Sequence, residues 1–346
     1  MTSRLLWSSV TVGISLLLVG TVLGADRGLP AKDDCVQSNP QLPEQKLVHF
    51  AIPFAKFHDE YNKWFVNNWK CTKGQTVVIE QSYAASGDIM RGTVAGSLRP
   101  DIFSMSHPFE IDTIVEKTGI ISSSWRNDFA YDSSPYRSAV VFLVRKGNPK
   151  NIKDWGDLIQ PDLTILVSNP KTCGGGRWVY TGALGFAGSG KAEDYVGKFY
   201  KNVPVSYANQ AVAGNAFLSQ NIGDVLVTYE SAALLEAKKA NTMVELVSPS
   251  RTVAIDISVA IAIKNTDQNK TTDIAKAYVR GLYDPDVQKL MASNFIRPRV
   301  VSVMNDVIAQ FPKQSIYVRE EVFGLGDKIE KEHLLDGGIY DVLVRR

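Results

Sequence analysis

A thiol, three consecutive glycines and an arginine follow one another at Cys173-Gly174-Gly175-Gly176-Arg177, between the apolar run Leu163 to Val167 and a helical pattern through Trp178, Tyr180 and Leu184. A branched apolar run, a glycine cluster and helical spacing predict a strand, a tight loop and a helix start. The first turn of such a helix carries backbone N–H groups without carbonyl partners and the positive end of the dipole, and glycines let an anion approach the backbone. The chemistry expected is anion binding by amides. A thiol at a helix start also suits a nucleophile, and His107 follows the predicted strand Asp101 to Met105. A cysteine hydrolase is therefore the enzyme alternative, although nothing in the sequence marks a third group to orient His107.

The elements that must hold such a loop recur. Thr76 to Gln81 is a β-rich run followed by Ser82 to Gly87 and then by Ile89, Met90, Thr93 and Val94 at helical spacing, and Asp224 to Tyr229 leads directly into Glu230 to Leu235. Ligands of open α/β sheets bind outside the carboxyl ends of the strands, so three such units aim three helix starts at one crevice. With the continuous apolar strand Ser138 to Val144, the helix Glu110 to Lys117 and the strand Ile255 to Ile263, the alternation predicts an α/β protein with a mostly parallel sheet in each lobe. The length beyond the first 45 or so residues predicts two lobes. Gly185 to Ala192 nearly spells a P-loop, but Ala192 stands where a Mg²⁺-binding hydroxyl is required, so a glycine-rich helix end is expected there.

Residues 1–24 have Arg4 as their sole charge, an apolar run from Val10 to Leu23 and small residues at the end, the layout of a secretory signal peptide cut near Ala25. Residues 25–45 lack periodicity and read as a mobile lead-in segment. The formal charge of +2, and +1 once Arg4 is removed, gives no basic face for nucleic acid. Export permits disulfides, and Cys35 and Cys71 flank the first helical pattern, Phe54 to Trp69. A Cys35–Cys71 bridge with Cys173 free is expected, three unpaired thiols being the alternative. The four histidines, His49, His58, His107 and His333, lack metal-ligand spacing and are expected to be solvated or half-buried, and no cofactor is implied. The charged stretch between Arg319 and His333 reads as a solvated surface segment, and Asn269-Lys270-Thr271 is an N-glycosylation sequon.

Asn169 to Arg177 resembles the second signature of the prokaryotic sulfate-binding proteins, and Lys73 to Ser82 resembles the first. Ser134-Pro135-Tyr136, Val141 to Lys150, Ile222 to Leu226, Arg297-Pro298-Arg299 and Lys331-Glu332-His333 extend the similarity from about residue 47 to the C-terminus. The resemblance implies a type II periplasmic solute-binding protein, not an enzyme: lobe 1 from 46–133 and 251–346 with a C-terminal tail, lobe 2 from 134–250, and sulfate or thiosulfate caught in the cleft for an ABC importer. It implies a monomer in the periplasm or secreted. Carried over by position, the ligand contacts are Ser86, Cys173, Gly174, Gly175, Gln210 and Tyr229, with a backbone amide near Ile52, and Arg177 bracing the loop from outside. The chain departs from the family pattern at Ile52, Cys173, Gly176 and Tyr229, where Asp, Ser, Ala and Trp are expected. Those departures keep open a secreted protein of the same fold with altered oxyanion specificity or a non-transport role.

Overall fold

The computed structural model describes residues 42–188, 190–239, 241–324 and 328–344. The expected signal segment, nearly all of the lead-in segment and Cys35 lie outside the described residues. Cys71 is disulfide-bonded and Cys173 is free and buried.

The first half alternates β1 (Gln45–Ala51), α1 (Ala55–Lys73), β2 (Val77–Tyr83), α2 (Ser86–Val94), β3 (Ile102–Met105), α3 (Pro108–Thr118) and a short turn α4 (Ala130–Ser133). The long strand β4 (Tyr136–Arg145) leads into β5 (Ile165–Ser168), α5 (Gly174–Ala187), α6 (Ala192–Lys201), β6 (Ser206–Tyr207), α7 (Gln210–Leu218), β7 (Val225–Tyr229), α8 (Glu230–Ala237) and β8 (Val244–Val247). A second long strand, β9 (Arg251–Ile261), returns to α9 (Ile263–Asn269), α10 (Thr272–Gly281), α11 (Pro285–Ser293), β10 (Arg297–Pro298) and α12 (Val301–Val307). β11 (Ser315–Tyr317), α13 (Arg319–Phe323), a π-helical turn (Glu330–Leu334) and α14 (Ile339–Val344) complete it.

Sequence accounts for much of this locally. α1 repeats aromatics every fourth residue, so Phe57, Tyr61 and Phe65 share one buried face, and Gly74 ends it in the left-handed region with its N–H on Lys70 O. α3 has Pro108 in its first turn, where the missing N–H costs nothing, and Gly119 as its left-handed cap. Gly188 ends α5 at φ 71°, so the P-loop-like run is a helix end.

The strand order is β2-β1-β3-β9-β4-β7-β5-β6. β1, β2 and β3 pair in parallel, as do β7, β5 and β6, and the two antiparallel strands β9 and β4 join these halves. Ser258 to Ile261 of β9 pairs with β3, Ala254 to Ile257 pairs with the start of β4, and Val140 to Val144 of β4 pairs with β7. Two strands thus cross between two lobes, and every strand-to-helix junction of the parallel halves opens at the carboxyl edge. Arg137 of β4 holds Asp256 of β9 at 2.6 and 2.7 Å beside the crossing.

Two expectations are corrected. Arg319 and Glu330 are buried and paired at 2.7 Å, whereas Glu320, Glu321, Lys328, Lys331 and Glu332 are exposed, so the charged Arg319–His333 stretch is solvated along one side only. It packs with α14 against α5 and α6: Tyr340 meets the rings of Tyr180 and Tyr200, and His333 Nδ1 lies 2.8 Å from the Tyr180 hydroxyl. His49, His58 and His107 are fully buried rather than solvated, because each sits at an aromatic or strand-end contact inside the core. In Asn269-Lys270-Thr271 the Asn269 amide donates to Asp101 at 2.9 Å and Thr271 is buried.

Burial lowers the pKa of His49 to about 3 and holds His58 and His107 well below the usual imidazole range. The folded state keeps these rings neutral while the unfolded chain protonates them below pH about 6.5. Stability should therefore be unaffected by these rings above that pH and fall as pH drops from about 6.5 toward 4. The limiting slope is about 1.4 kcal/mol per pH unit for each ring. Urea unfolding at pH 7.5, 6 and 5 measures this, and a flat stability across that range would mean water reaches the rings.

Candidate functional site

Four helix starts border one cleft of about 500 Å³. α2, α5 and α8 begin after extended residues Ala85, Cys173 and Tyr229, and none of the three has a side-chain cap. In α5 the first-turn amides are left for another acceptor, whereas in α2 Asp88 N donates to Ala85 O at 2.9 Å and in α8 Ser231 N donates to Ser138 Oγ at 3.3 Å. At α7, Asn209 caps Val212 N at 3.0 Å, leaving the amides of Gln210 and Ala211 without an intrahelical partner.

The glycines explain how close the walls come. A side chain at Gly174 would place its Cβ 2.0 Å from Ser106 Oγ and 3.0 Å from Glu110 Oε1; one at Gly175 would come within 3.0 Å of the Tyr229 hydroxyl and 3.3 Å of Gln210 Oε1. A Cβ at Gly176 would meet the backbone of Ser168, Asn169 and Pro170 at 2.5 to 2.6 Å. The triple glycine therefore lets the first turn of α5 lie against β3, α3 and β7.

The residues lining the cleft include no Lys, Arg or His. Nearby cations are already matched. Arg177 Nη1 donates to Glu110 Oε1 at 2.6 Å, Arg297 makes a two-point contact with Glu230 at 2.5 and 2.8 Å, and Lys171 turns to Asp336 and Asp341. An anion entering here meets dipoles and hydroxyls rather than a counter-ion. Among the described residues no cluster of His, Cys, Asp and Glu has the arrangement of a metal site.

The structure brings Ile52, Ser86, Cys173, Gln210 and Tyr229 to the cleft wall, with Gly174 and Gly175 in the first turn beside them. Two of the expected contacts change character. The Ile52 amide donates to Ser104 O at 3.0 Å and Phe54 N to Ile52 O at 2.8 Å, so no free amide remains at Ile52. Its apolar side chain faces the cleft instead, because β1 runs straight into a turn closed on β3. The Gln210 side chain is used internally, accepting from Ser168 Oγ at 2.9 Å and donating to Val227 O at 3.2 Å, which leaves its backbone amide. Arg177 braces the loop: it is buried, paired with Glu110 and reaches Lys171 O. The Cys173–His107 hydrolase pair is not assembled. His107 Nδ1 accepts from Phe109 N at 3.2 Å, and Nε2 lies 3.3 Å from Glu330 Oε1.

Ser106 and Glu110 are the site residues that the sequence reading missed. Ser106 directly follows β3 and touches Ser86, while its carbonyl accepts from Trp178 Nε1 at 2.5 Å. The available signal was a fourth strand-to-helix junction, since Ile102 to Met105 is followed by Ser106-His107-Pro108.

The sequence profile of the bacterial extracellular solute-binding proteins matches residues 54–297. The chain belongs to this family. Among its relatives, the sulfate-binding protein of Escherichia coli (strain K12) is 36% identical over 85% of this chain and 91% of its own length. The thiosulfate-binding protein of Pseudomonas aeruginosa is 34% identical over 86% and 91%. The solved structure of the sulfate-binding protein SubI from Mycobacterium tuberculosis H37Rv superposes with a TM-score of 0.71 at 27% identity, covering 83% of this chain and 98% of that one. A periplasmic thiamin-binding protein shares the fold at a TM-score of 0.64 and 13% identity. In this solute-binding protein α5 contacts α3 and the residue after β3 through Arg177–Glu110 and Trp178–Ser106. Burial pushes the Tyr229 phenol well above its ordinary pKa, so at neutral pH it remains a protonated hydroxyl.

Proposed function

We propose that this solute-binding protein captures a sulfur oxyanion, sulfate or thiosulfate, in the interlobe cleft and presents it to the permease of an ABC importer. It acts as an exported, non-catalytic monomer with a cleaved signal peptide. Lobe 1 is 46–133 with 251–346, and lobe 2 is 134–250. The observation that carries the reading is the uncapped first turn of α5 pressed against a wall of hydroxyls, in a cleft lined by no cation. The binding set is the amides of Gly174 and Gly175, the hydroxyls of Ser86 and Tyr229, Cys173, and the backbone of Gln210. Sulfate only accepts hydrogen bonds at neutral pH, so a set of donors suits it, whereas hydrogen phosphate needs one acceptor.

Calorimetry of the purified protein with sulfate, thiosulfate, phosphate and molybdate tests this reading. Absence of heat with all four overturns it. Tyr229 tunes the outcome: a phenol accepts as well as donates, while an indole N–H only donates. Tyr229→Trp should raise the preference for sulfate over phosphate, by up to the 1–3 kcal/mol order of a buried unmatched group. Tyr229→Phe should weaken every oxyanion. Unchanged selectivity in both variants would remove Tyr229 from the binding set, and favour the same fold serving another ligand.

A further inference from the structure

The cleft is larger than a bare oxyanion requires. Its volume of about 500 Å³ falls in the range of roughly 300–1,000 Å³ typical of pockets that hold organic ligands, whereas sulfate is a single sulfur with its oxygens. Separation of the walls does not supply the excess, because α2 and the loop before α5 are already in contact: a Cβ at Gly87 would lie 2.1 Å from Thr172 O.

The extra room lies between α7 and α8. Beyond Tyr229 the same cavity is lined by Ala211, Gly214 and Leu218 of α7 and by Ala232 and Leu235 of α8. Within each helix these residues stand three or four positions apart, so each set forms one face. The floor is Leu143 of β4 and Leu226 of β7, which are direct partners across the antiparallel pair. The other faces of the two helices pack inward through Ala213, Ala216, Phe217 and Ala233. Both helices are therefore apolar on two sides, and Leu218 and Leu235 stand 37% and 44% exposed along the groove. Gly214 keeps the groove open: a Cβ there would meet nothing within 4 Å, although glycine weakens a helix interior. Glu236, the acidic residue of the lining, is already paired with Lys239 at 2.6 Å.

We propose that the cleft also takes an alkanesulfonate, with its sulfonate head at the first turn of α5 and its unbranched chain along the groove between α7 and α8. The inference rests on the oxyanion reading above and extends it to an organic ligand. Gln210 opens α7 and Glu230 opens α8, so the groove between the two helices begins where the head is held. A Cβ at Gly175 would lie 3.0 Å from the Tyr229 hydroxyl and 3.3 Å from Gln210 Oε1, which puts the start of α5 at the same corner. A sulfonate, like sulfate, accepts hydrogen bonds and donates none at neutral pH, so the donors that suit sulfate suit the head. Its carbon substituent needs no donor, and the groove wall of leucine, alanine and glycine offers apolar surface instead. From Gln210 to Leu218 the wall runs about 12 Å at the helical rise, which accommodates several methylenes.

Competition calorimetry, in which methane-, butane- and hexanesulfonate displace sulfate from the protein, tests this. Affinity should rise about fourfold per methylene, the effect of burying one CH₂ group, and the heat-capacity change on binding should become more negative along the series. Gly214→Leu fills the groove from a position that has room for a side chain: sulfate affinity should be unchanged while the rise with chain length disappears. Leu235→Asp, on the opposite wall and at an exposed position, should flatten the series as well. Failure of every sulfonate to displace sulfate, equal affinity along the series, or a chain-length dependence undiminished in both variants overturns the proposal while leaving the oxyanion reading standing. The groove would then be a surface for an apolar segment of another protein. Absence of binding by sulfate and by every sulfonate removes both.

Discussion

Gly87→Ala should weaken sulfate binding at least a hundredfold while leaving the helix and strand content of the protein unchanged. Gly87 lies in the first turn of α2, and a Cβ there would sit 2.1 Å from the carbonyl oxygen of Thr172 and 3.0 Å from its carbon. Both are backbone atoms of the loop that delivers α5, across the cleft from α2. Backbone cannot yield as a flexible side chain does, so the methyl group forces the two sides of the cleft apart. Hydrogen bonds near 2.9 Å do not survive a separation of an ångström or so. Losing two bonds to a charged ligand, at about 1.5–3 kcal/mol each, exceeds the roughly 2.7 kcal/mol that a hundredfold change requires. The fold survives because an opened cleft removes the clash while each parallel half keeps its own sheet. Calorimetry with sulfate, alongside far-UV circular dichroism, measures both parts. Parental affinity in this variant would mean that α2 and the 169–173 loop do not approach in the bound state.

Arg297→Ala should destabilise the protein by about 3–5 kcal/mol, the range for stranding one member of a buried ion pair. Glu230 is 0% exposed, and Arg297 holds both its oxygens, with Gln314 Nε2 adding a bond at 3.0 Å. The guanidinium also stacks 4.6 Å above Phe311. Without it, the Glu230 carboxylate is left desolvated in the first turn of α8, beside the place where an anion is expected to bind. Adding Glu230→Gln to Arg297→Met, which replaces both charges by neutral groups of similar size, should recover much of the loss. Urea unfolding of the single and double variants decides it. A cost below about 1 kcal/mol for Arg297→Ala would show that Glu230 takes up a proton or gains water.

The α/β alternation, the strand-to-helix junctions at 82–87, 168–174 and 229–230, and the glycine end of α5 were legible in the sequence. Each depends on residues within a few positions of one another: apolar periodicity, a glycine where a cap or close approach is needed, a proline in a first turn. The anion-binding character of the cleft followed from the same local facts, because unpaired amides are a property of any helix start.

What the tertiary structure alone decided is which polar groups meet. Arg177 and Glu110 are 67 positions apart, as are Arg297 and Glu230, and nothing local marks either carboxylate as the partner that cancels a cation near the cleft. Ser106 enters the site because β3 pairs with β1 and β9, and the Ile52 amide leaves it because β3 claims that amide. Arg319 and Glu330 read as surface charge in sequence and are buried in the fold. Composition fixes how many charges and hydroxyls a chain carries. Only the packing of distant elements sets the burial and partner of each, and in a low-dielectric interior these decide whether a group binds ligand, braces a loop or holds a proton.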